Sequence, residues 1–266
     1  MIPVTIIGAA GRMGRETVKA IHNDPETSLV GAVGRSLVGQ DAGEVAGIGN
    51  IGVPITDDIA QALQGARVAV ELSIPVVVKA NVAAILAANV AAVVGTTGLT
   101  ESDLAELDEA ARAANVPLLI APNFAIGAIL MMRFATEAAK YFESAEIIER
   151  HHDQKLDAPS GTAFKTALAM REAKGEDFAR IGGDSVDENS SAIGARGGAI
   201  GGVSIHSVRL PGYLAHQEVV FGMAGQTLTI RHDAISRECY MPGVLRAVKK
   251  VWDLPVGLTF GLEAVL

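Results

Sequence analysis

Residues 149–163 read Glu-Arg-His-His-Asp-Gln-Lys-Leu-Asp-Ala-Pro-Ser-Gly-Thr-Ala and set two imidazoles, His151 and His152, and one amine, Lys155, within five positions. A histidine exchanges protons near neutral pH because its unperturbed pKa is about 6.5. A lysine donates as well, especially where its surroundings lower its pKa. Ser160-Gly161-Thr162 follows where a helix should begin, so N–H groups and a hydroxyl would there face a carboxylate. Proton donors and an anion cradle thus share one loop, as the processing of a small acidic metabolite requires. A metal site is a poor reading, because adjacent histidines point in different directions and no further ligands cluster with them.

A second device opens the chain. Gly8-Ala9-Ala10-Gly11-Arg12-Met13-Gly14 follows the apolar run Ile2–Ile7. Backbone N–H groups between a strand and a helix start can hold a pyrophosphate, helped by the helix dipole. The pattern is GxxGxxG rather than GxGxxG, and a packing turn can look the same. Its place at the first strand of an alternating chain favours a dinucleotide. Gly34-Arg35 ends the second strand, where such folds often set an acid for the ribose hydroxyls. Arg35 could instead grip a 2′-phosphate through its planar fork, or stand as a solvated loop cation. NADPH is therefore expected in preference to NADH, with NADH also possible. Arg12 could assist or lie on the surface. Gly95-Thr96-Thr97 and Ala121-Pro122-Asn123-Phe124 end two later strands, where open α/β sheets bind ligands. They could line a nicotinamide crevice or serve as plain turns. The two devices together suggest a reductase acting on a small carboxylated molecule.

The elements that must position these residues alternate. Strands are expected at Ile2–Ile7, Ser28–Val33, Val68–Leu72, Ala91–Val94 and Val116–Ala121. Helices are expected at about Arg12–His22, Thr56–Leu63, Val76–Ala88 and, capped by Thr100 with Asp103 three residues on, through Ala113. This spacing implies a Rossmann-like, doubly wound parallel sheet over residues 1–125. The pattern changes after Phe124. Residues 126–236 read as a second α+β domain: a helix at about Ile126–Tyr141, a strand at Ala145–Arg150, a helix from about Ser160 to Ala173, a loose stretch over 174–202, then strands Val203–Arg209, Gln217–Phe221 and Thr227–Arg231. Short turns between those last strands suggest a mostly antiparallel sheet. The tail, 237–266, includes a helix at about Pro242–Val251 and is expected to return to the first domain.

Bulk composition narrows the classes. The chain has 266 residues, with Lys+Arg 22 against Asp+Glu 30 and a formal net charge of −8. That argues against a nucleic-acid surface, which needs a basic face. It leaves anionic ligands open, since local charge and backbone dipoles govern a pocket. The single cysteine, Cys239, excludes an intrachain disulfide and a multi-cysteine zinc site. No apolar run approaches the roughly 20 residues that span a bilayer, and Met1-Ile2-Pro3-Val4 enters a strand without a signal-like leader. A cytoplasmic protein without a membrane partner is expected.

Glu149-Arg-His-His-x-x-Lys155 with Asp157-Ala-Pro-Ser-Gly-Thr-Ala163 resembles the motif of the 4-hydroxy-tetrahydrodipicolinate (dihydrodipicolinate) reductases, NAD(P)H-dependent enzymes of lysine and diaminopimelate biosynthesis. Segments similar to the family also fall at Gly8–Arg15, Gly39–Gly47, Gly95–Gly98, Asn123-Phe124 and Ser236-Arg237. The resemblance implies reduction of 4-hydroxy-tetrahydrodipicolinate to tetrahydrodipicolinate and water. It implies His151 as proton donor or acceptor, Lys155 as proton donor, and His152, Ser160, Gly161 and Thr162 on the substrate carboxylates. It places Gly8, Ala9, Ala10, Gly11, Arg12 and Met13 on the dinucleotide and Gly34 and Arg35 near the 2′-phosphate. Gly95, Thr96, Thr97, Ala121, Pro122, Asn123 and Phe124 would line the nicotinamide crevice. A homotetramer joined through the second domain, and closure of the two domains over the reacting groups, are also implied. Three departures stand out. Gly34 replaces an acid common in the family, Asp153 and Gln154 replace residues that are often basic, and Glu71-Leu72-Ser73 stands where Asp-Phe-Thr or Asp-Phe-Ser is common. A dehydrogenase acting on an amino acid, or a dinucleotide sensor without turnover, would keep the glycine loop but not need His-His-x-x-Lys.

Overall fold

The apolar run Ile2–Ile7 forms β1, followed by α1 (Arg12–Asn23) and β2 (Thr27–Val33). The computed structural model describes residues 1–180, 192 and 194–266, so part of the stretch expected to be loose, 174–202, lies outside the described residues. Helix α1 buries Gly14, Thr17, Val18 and Ile21, the i, i+3, i+4, i+7 stripe of a helix packed on one face. Then come α2 (Ala42–Ala46), β3 (Ile55–Thr56), α3 (Ile59–Ala62), β4 (Val68–Glu71), α4 (Pro75–Ala87), β5 (Ala91–Val94), α5 (Glu101–Ala114) and β6 (Pro117–Ile120). Strands β4, β5 and β6 are buried at every residue, as a parallel sheet covered on both faces demands. Thr100 and Asp103 close the expected capping box on α5.

The helix expected over Thr56–Leu63 is corrected. Ile55 and Thr56 pair with Ala32 and Val33 as an edge strand, and Ile55 is buried. A single helical turn starts only after Asp58, whose carboxylate accepts from the Gln61 N–H at 3.0 Å. Burial of Ile55 beside β2 outweighs the helical pattern, a tertiary override of local propensity.

The second unit starts with α6 (Ile126–Ala138) and β7 (Ser144–His151). Helix α6 stops short of the expected Tyr141, because its last residues turn to i→i+3 bonds such as Tyr141 N–H to Ala138 at 3.0 Å. Next come α7 (Gly161–Lys174), β8 (Gly198–Ile200), β9 (Val203–Arg209), β10 (Ala215–Met223) and β11 (Gln226–Ala234). The sheet order is β11-β10-β7-β9-β8. Strands β10 and β11 form a hairpin, but β9 and β10 do not pair: both flank β7, β9 parallel and β10 antiparallel. The sheet is therefore mixed but mostly antiparallel, as expected, with β7–β9 as its one parallel ladder among the described residues. Strand β7 is central because Ala145, Ile147 and Glu149 are buried on one face. There Ile147 packs with Ala163, Ala167, Met170, Val219 and Phe221.

Helix α8 (Met241–Lys250) and β12 (Gly257–Phe260) follow. Strand β12 pairs parallel with β6 and completes the first sheet in the order β12-β6-β5-β4-β1-β2-β3. The chain thus divides into two units, Met1–Ala125 with Arg237–Leu266, and Ile126–Ser236. In the first sheet the chain leaves β1 for β2 on one side and returns to β4 on the other, which makes the β1/β4 border the topological switch point.

Candidate active site

Residues two apart on a strand share a face, so Glu149 and His151 project together from the end of β7. The His151 Nδ1 lies 2.6 Å from Glu149 Oε2. Arg209 of β9 stands opposite His151 in the parallel register and forks onto the same carboxylate, 2.8 Å to each oxygen. The Ser160 N–H donates to Glu149 Oε1 at 3.1 Å. Glu149 is 0% exposed. Burial alone would raise its carboxyl pKa; the hydrogen bonds from His151 and Arg209 overcome this and bring it down to about 2. Arg209 also donates to the carbonyls of Lys155 and Asp157, at 3.3 and 2.6 Å, and so fastens the loop to the sheet.

The Lys155 ammonium sits 2.8 Å from both Asp157 oxygens. The Lys155 hydrogen bond holds the exposed Asp157 carboxyl below its ordinary value. The Lys155 N–H closes a turn onto the His152 carbonyl at 3.2 Å, and the His152 ring is partly exposed. Ser160 is the N-cap of α7, its hydroxyl accepting from the Ala163 N–H at 3.2 Å. Gly161 and Thr162 are therefore the first residues of α7, where N–H groups precede the helix's own i→i−4 bonds. Gly161 is exposed, and a Cβ there would meet nothing within 4 Å. The structure thus brings His151, Lys155 and the Ser160–Thr162 turn onto one hydrogen-bonded frame.

The residues expected at a dinucleotide lie in the first unit. Gly8 has φ +87°, and a Cβ there would come 2.5 Å from the Leu72 carbonyl oxygen after β4. A Cβ at Gly14 would strike the Gly8 carbonyl. Both positions need glycine for the turn to close under the start of α1. Gly11 caps α1 without any side-chain hydrogen bond, which leaves its first N–H groups for a ligand. Ala9 is buried and Ala10 half-buried; Arg12 is exposed and Met13 half-buried. Gly34 lies close enough to Ala10 that an added Cβ would stand 3.6 Å from that methyl, so the end of β2 runs beside the glycine loop. The same Cβ would be 3.1 Å from Ile55, a crowded place for an acidic side chain. Arg35 beside it is exposed.

At the ends of β5 and β6, a Cβ on Gly95 would clash with Phe124 at 2.7 Å and Leu72 at 2.8 Å. Leu72 thus closes over Gly95 together with the Phe124 ring. Thr97 is exposed, Ala121 is buried and Pro122 is exposed. The Asn123 side chain accepts from the Ala125 N–H at 2.9 Å. Glu71 is fully buried and receives Ser73 and, at 3.0 Å, the Asn81 amide. Its other oxygen and the buried Thr96 hydroxyl have no partner among the described residues. Side-chain-free cradles with unspent polar atoms at neighbouring strand ends fit a nicotinamide dinucleotide.

Two residues went unassigned in the sequence. Glu149 carried a readable signal, since a carboxylate two positions before a histidine on a strand shares its face. Arg209 carried none: it lies 60 residues from Glu149 and arrives only through the β7–β9 pairing.

Residues 2–124 match the family described as dihydrodipicolinate reductase, N-terminus, and residues 127–266 match dihydrodipicolinate reductase, C-terminus. A 4-hydroxy-tetrahydrodipicolinate reductase from Synechocystis sp. is 49% identical, covering 100% of this chain and 98% of its own length. One from Moorella thermoacetica is 48% identical with the same coverage. Among solved structures, a dipicolinate-bound dihydrodipicolinate reductase from Paenisporosarcina sp. TG-14 superposes with TM-score 0.84 at 39% identity, covering 100% of both chains. An amine dehydrogenase from Mycobacterium smegmatis, at 16% identity and TM-score 0.66, covers 97% of this chain and 94% of its own and shares the fold. With both halves matched and relatives near half-identical over their full length, the chain belongs to the dihydrodipicolinate reductase family.

Proposed function

We infer that this chain reduces 4-hydroxy-tetrahydrodipicolinate to tetrahydrodipicolinate and water with a nicotinamide cofactor, a step of lysine and diaminopimelate biosynthesis. Full-length likeness to reductases of that name supports the reading. The observation that carries it is the single frame holding His151, Lys155 and the Ser160 turn.

When bound, a nicotinamide would supply a hydride to the ring carbon from which the hydroxyl has left as water, a departure that also takes a proton from the adjacent carbon. The remaining chemistry belongs to side chains. With Nδ1 on Glu149, His151 has Nε2 left to exchange a proton. Lys155 or His151 protonates the position adjacent to the reduced carbon, which balances the hydride. His152 and the N–H groups of Gly161 and Thr162 hold the carboxylates beside the Ser160 cap. In the first unit, the turn from Gly8 to Met13 takes the pyrophosphate. Arg35 takes a 2′-phosphate, so NADPH is preferred and NADH is the weaker cofactor. Gly95–Thr97 and Ala121–Phe124 receive the nicotinamide. The first unit is then the dinucleotide-binding domain, and Ile126–Ser236 the substrate-binding and oligomerisation domain of a cytoplasmic homotetramer.

The test is a steady-state assay on substrate made by the preceding synthase, with NADH and NADPH compared at equal concentration. Turnover is expected with both and is greater with NADPH. The Lys155→Ala variant should lose at least about 100-fold in kcat, the scale of a removed general acid. Near-normal turnover of that variant would exclude the proton-donor role. Equal or better use of NADH would exclude the role given to Arg35.

A further inference from the structure

A buried carboxylate is costly unless it is paired and hydrogen-bonded. The inner face of β7 could have closed with an apolar residue at position 149, as it does with Ile147 two positions earlier. It carries Glu149 instead, and that carboxylate collects four donors from three segments: His151 at the end of β7, both arms of Arg209 from β9, and the Ser160 N–H at the start of α7. Each of those segments holds a piece of the site. Resting on the function inferred above, we propose that Glu149 is a positioning residue for the reaction. It holds the His151 ring by Nδ1, so that Nε2 is the proton-transferring atom, and it sets that ring against the turn that receives the substrate carboxylate.

The geometry supports this in three ways. The Nδ1–Oε2 distance of 2.6 Å is at the short edge of charge-assisted N–H···O bonds, about 2.7–2.9 Å, and a bond at one ring nitrogen decides the tautomer at the other. The oxygen that takes Ser160, Oε1, also takes one Arg209 arm, so tilting the carboxylate would move the ring and the helix start together. Arg209 balances the carboxylate's charge and, through the Lys155 and Asp157 carbonyls, holds the lysine loop to the same centre. Among the described residues, the charged groups facing this centre are Arg209 from β9 and the Lys155–Asp157 pair from the loop; Ser207, opposite Glu149 on β9, is neutral and also lowers its carboxyl. From β10, the residue opposite His151 is Ala215, which brings no charge. Gln217, opposite Glu149, is neutral and donates to Thr166 of α7 at 2.9 Å.

The test compares the full-length wild type with Glu149→Gln and Glu149→Asp. For Glu149→Gln, kcat should fall at least about tenfold, while KM for the dicarboxylate changes less than about threefold, the split of an interaction used in the transition state. The limb of the kcat–pH profile that reports His151 should shift, and Glu149→Asp should recover part of the loss. Dinucleotide affinity should not change in either variant. Wild-type kcat and an unmoved pH profile in Glu149→Gln would overturn the proposal. So would a loss that only tracks the folded fraction seen in thermal melts. A second measurement needs no variant. In wild-type protein labelled with ¹⁵N-histidine, the neutral His151 ring should carry its proton on Nδ1, and a proton on Nε2 would overturn the proposal even if Glu149→Gln does not fold. A wild type without reductase activity would instead overturn the function itself, and the tautomer result would still stand.

Discussion

At position 149 the interaction with solvent has been traded for four directed hydrogen bonds, and this has a consequence in acid. The Glu149 carboxyl sits at about 2 in the folded protein against an ordinary 4.5. A depressed carboxyl contributes stability that is fully present above its unfolded value and is lost as pH falls from about 4.5 through about 2. The contribution is on the order of 1–3 kcal/mol after solvent screening. In urea titrations, the gap in unfolding free energy between wild type and Glu149→Gln should therefore narrow across that window. A gap independent of pH would contradict it. Arg35 gives a second residue-scale prediction. Arg35→Ala should raise KM for NADPH by about tenfold, the loss of one charge-assisted phosphate contact, and leave KM for NADH nearly unchanged. Steady-state kinetics with both cofactors decides it.

Among the elements, the turn between β1 and α1 is the most tightly determined by sterics. Gly8 and Gly14 face backbone that cannot move away. Gly14→Ala should push α1 off the turn and weaken NADPH binding by at least about tenfold, or 1.4 kcal/mol; a fluorescence titration reads it. The loop between β2 and β3 depends on one side chain. Asp41 caps α2 and accepts N–H groups from Gly43, Glu44, Ile51 and Val53, at 2.9 to 3.2 Å. Burial would raise its carboxyl, but these bonds hold it below the ordinary value. Asp41→Ala should cost about 2 kcal/mol, since it removes a cap and strands several donors. The thermal midpoint should drop by several degrees, and a drop within error would show that water replaces the carboxylate. Local signals served well for elements of this kind. The Thr100–Asp103 box, the Pro75 start of α4 and the Ser160 start of α7 were all legible, because each depends on neighbours within four residues. Strand β3 was not, because a two-residue edge strand is made by its partner and not by its own pattern.

For the whole chain, the formal net charge of −8 contrasts with ligands that are themselves anionic. On the function proposed above, attraction is local, from Arg35 and Lys155 as cations and the starts of α1 and α7 as dipole ends. On the same proposed function, a dinucleotide that binds the folded first unit and not the unfolded chain stabilises it. NADPH at about 100 times its Kd should stabilise the protein by about 2.7 kcal/mol. Hydrogen-exchange protection should gather in residues 8–14, 34–35, 95–97 and 121–124 of the first unit. Protection centred on β7–β11 would place the dinucleotide elsewhere.

The order of residues by itself determined that a glycine-lined turn follows the first strand, that a parallel α/β sheet surrounds it, and that two imidazoles and an amine lie next to a helix start. These depend on alternation, caps and steric limits that act over a few positions. Only the tertiary structure decided that Arg209 would meet Glu149, that β9 would run parallel to β7, and that the tail would add β12 beside β6. Each of those joins distant segments, where the cost of closing the loop is set against burial at the far end, and a window of adjacent residues contains neither quantity.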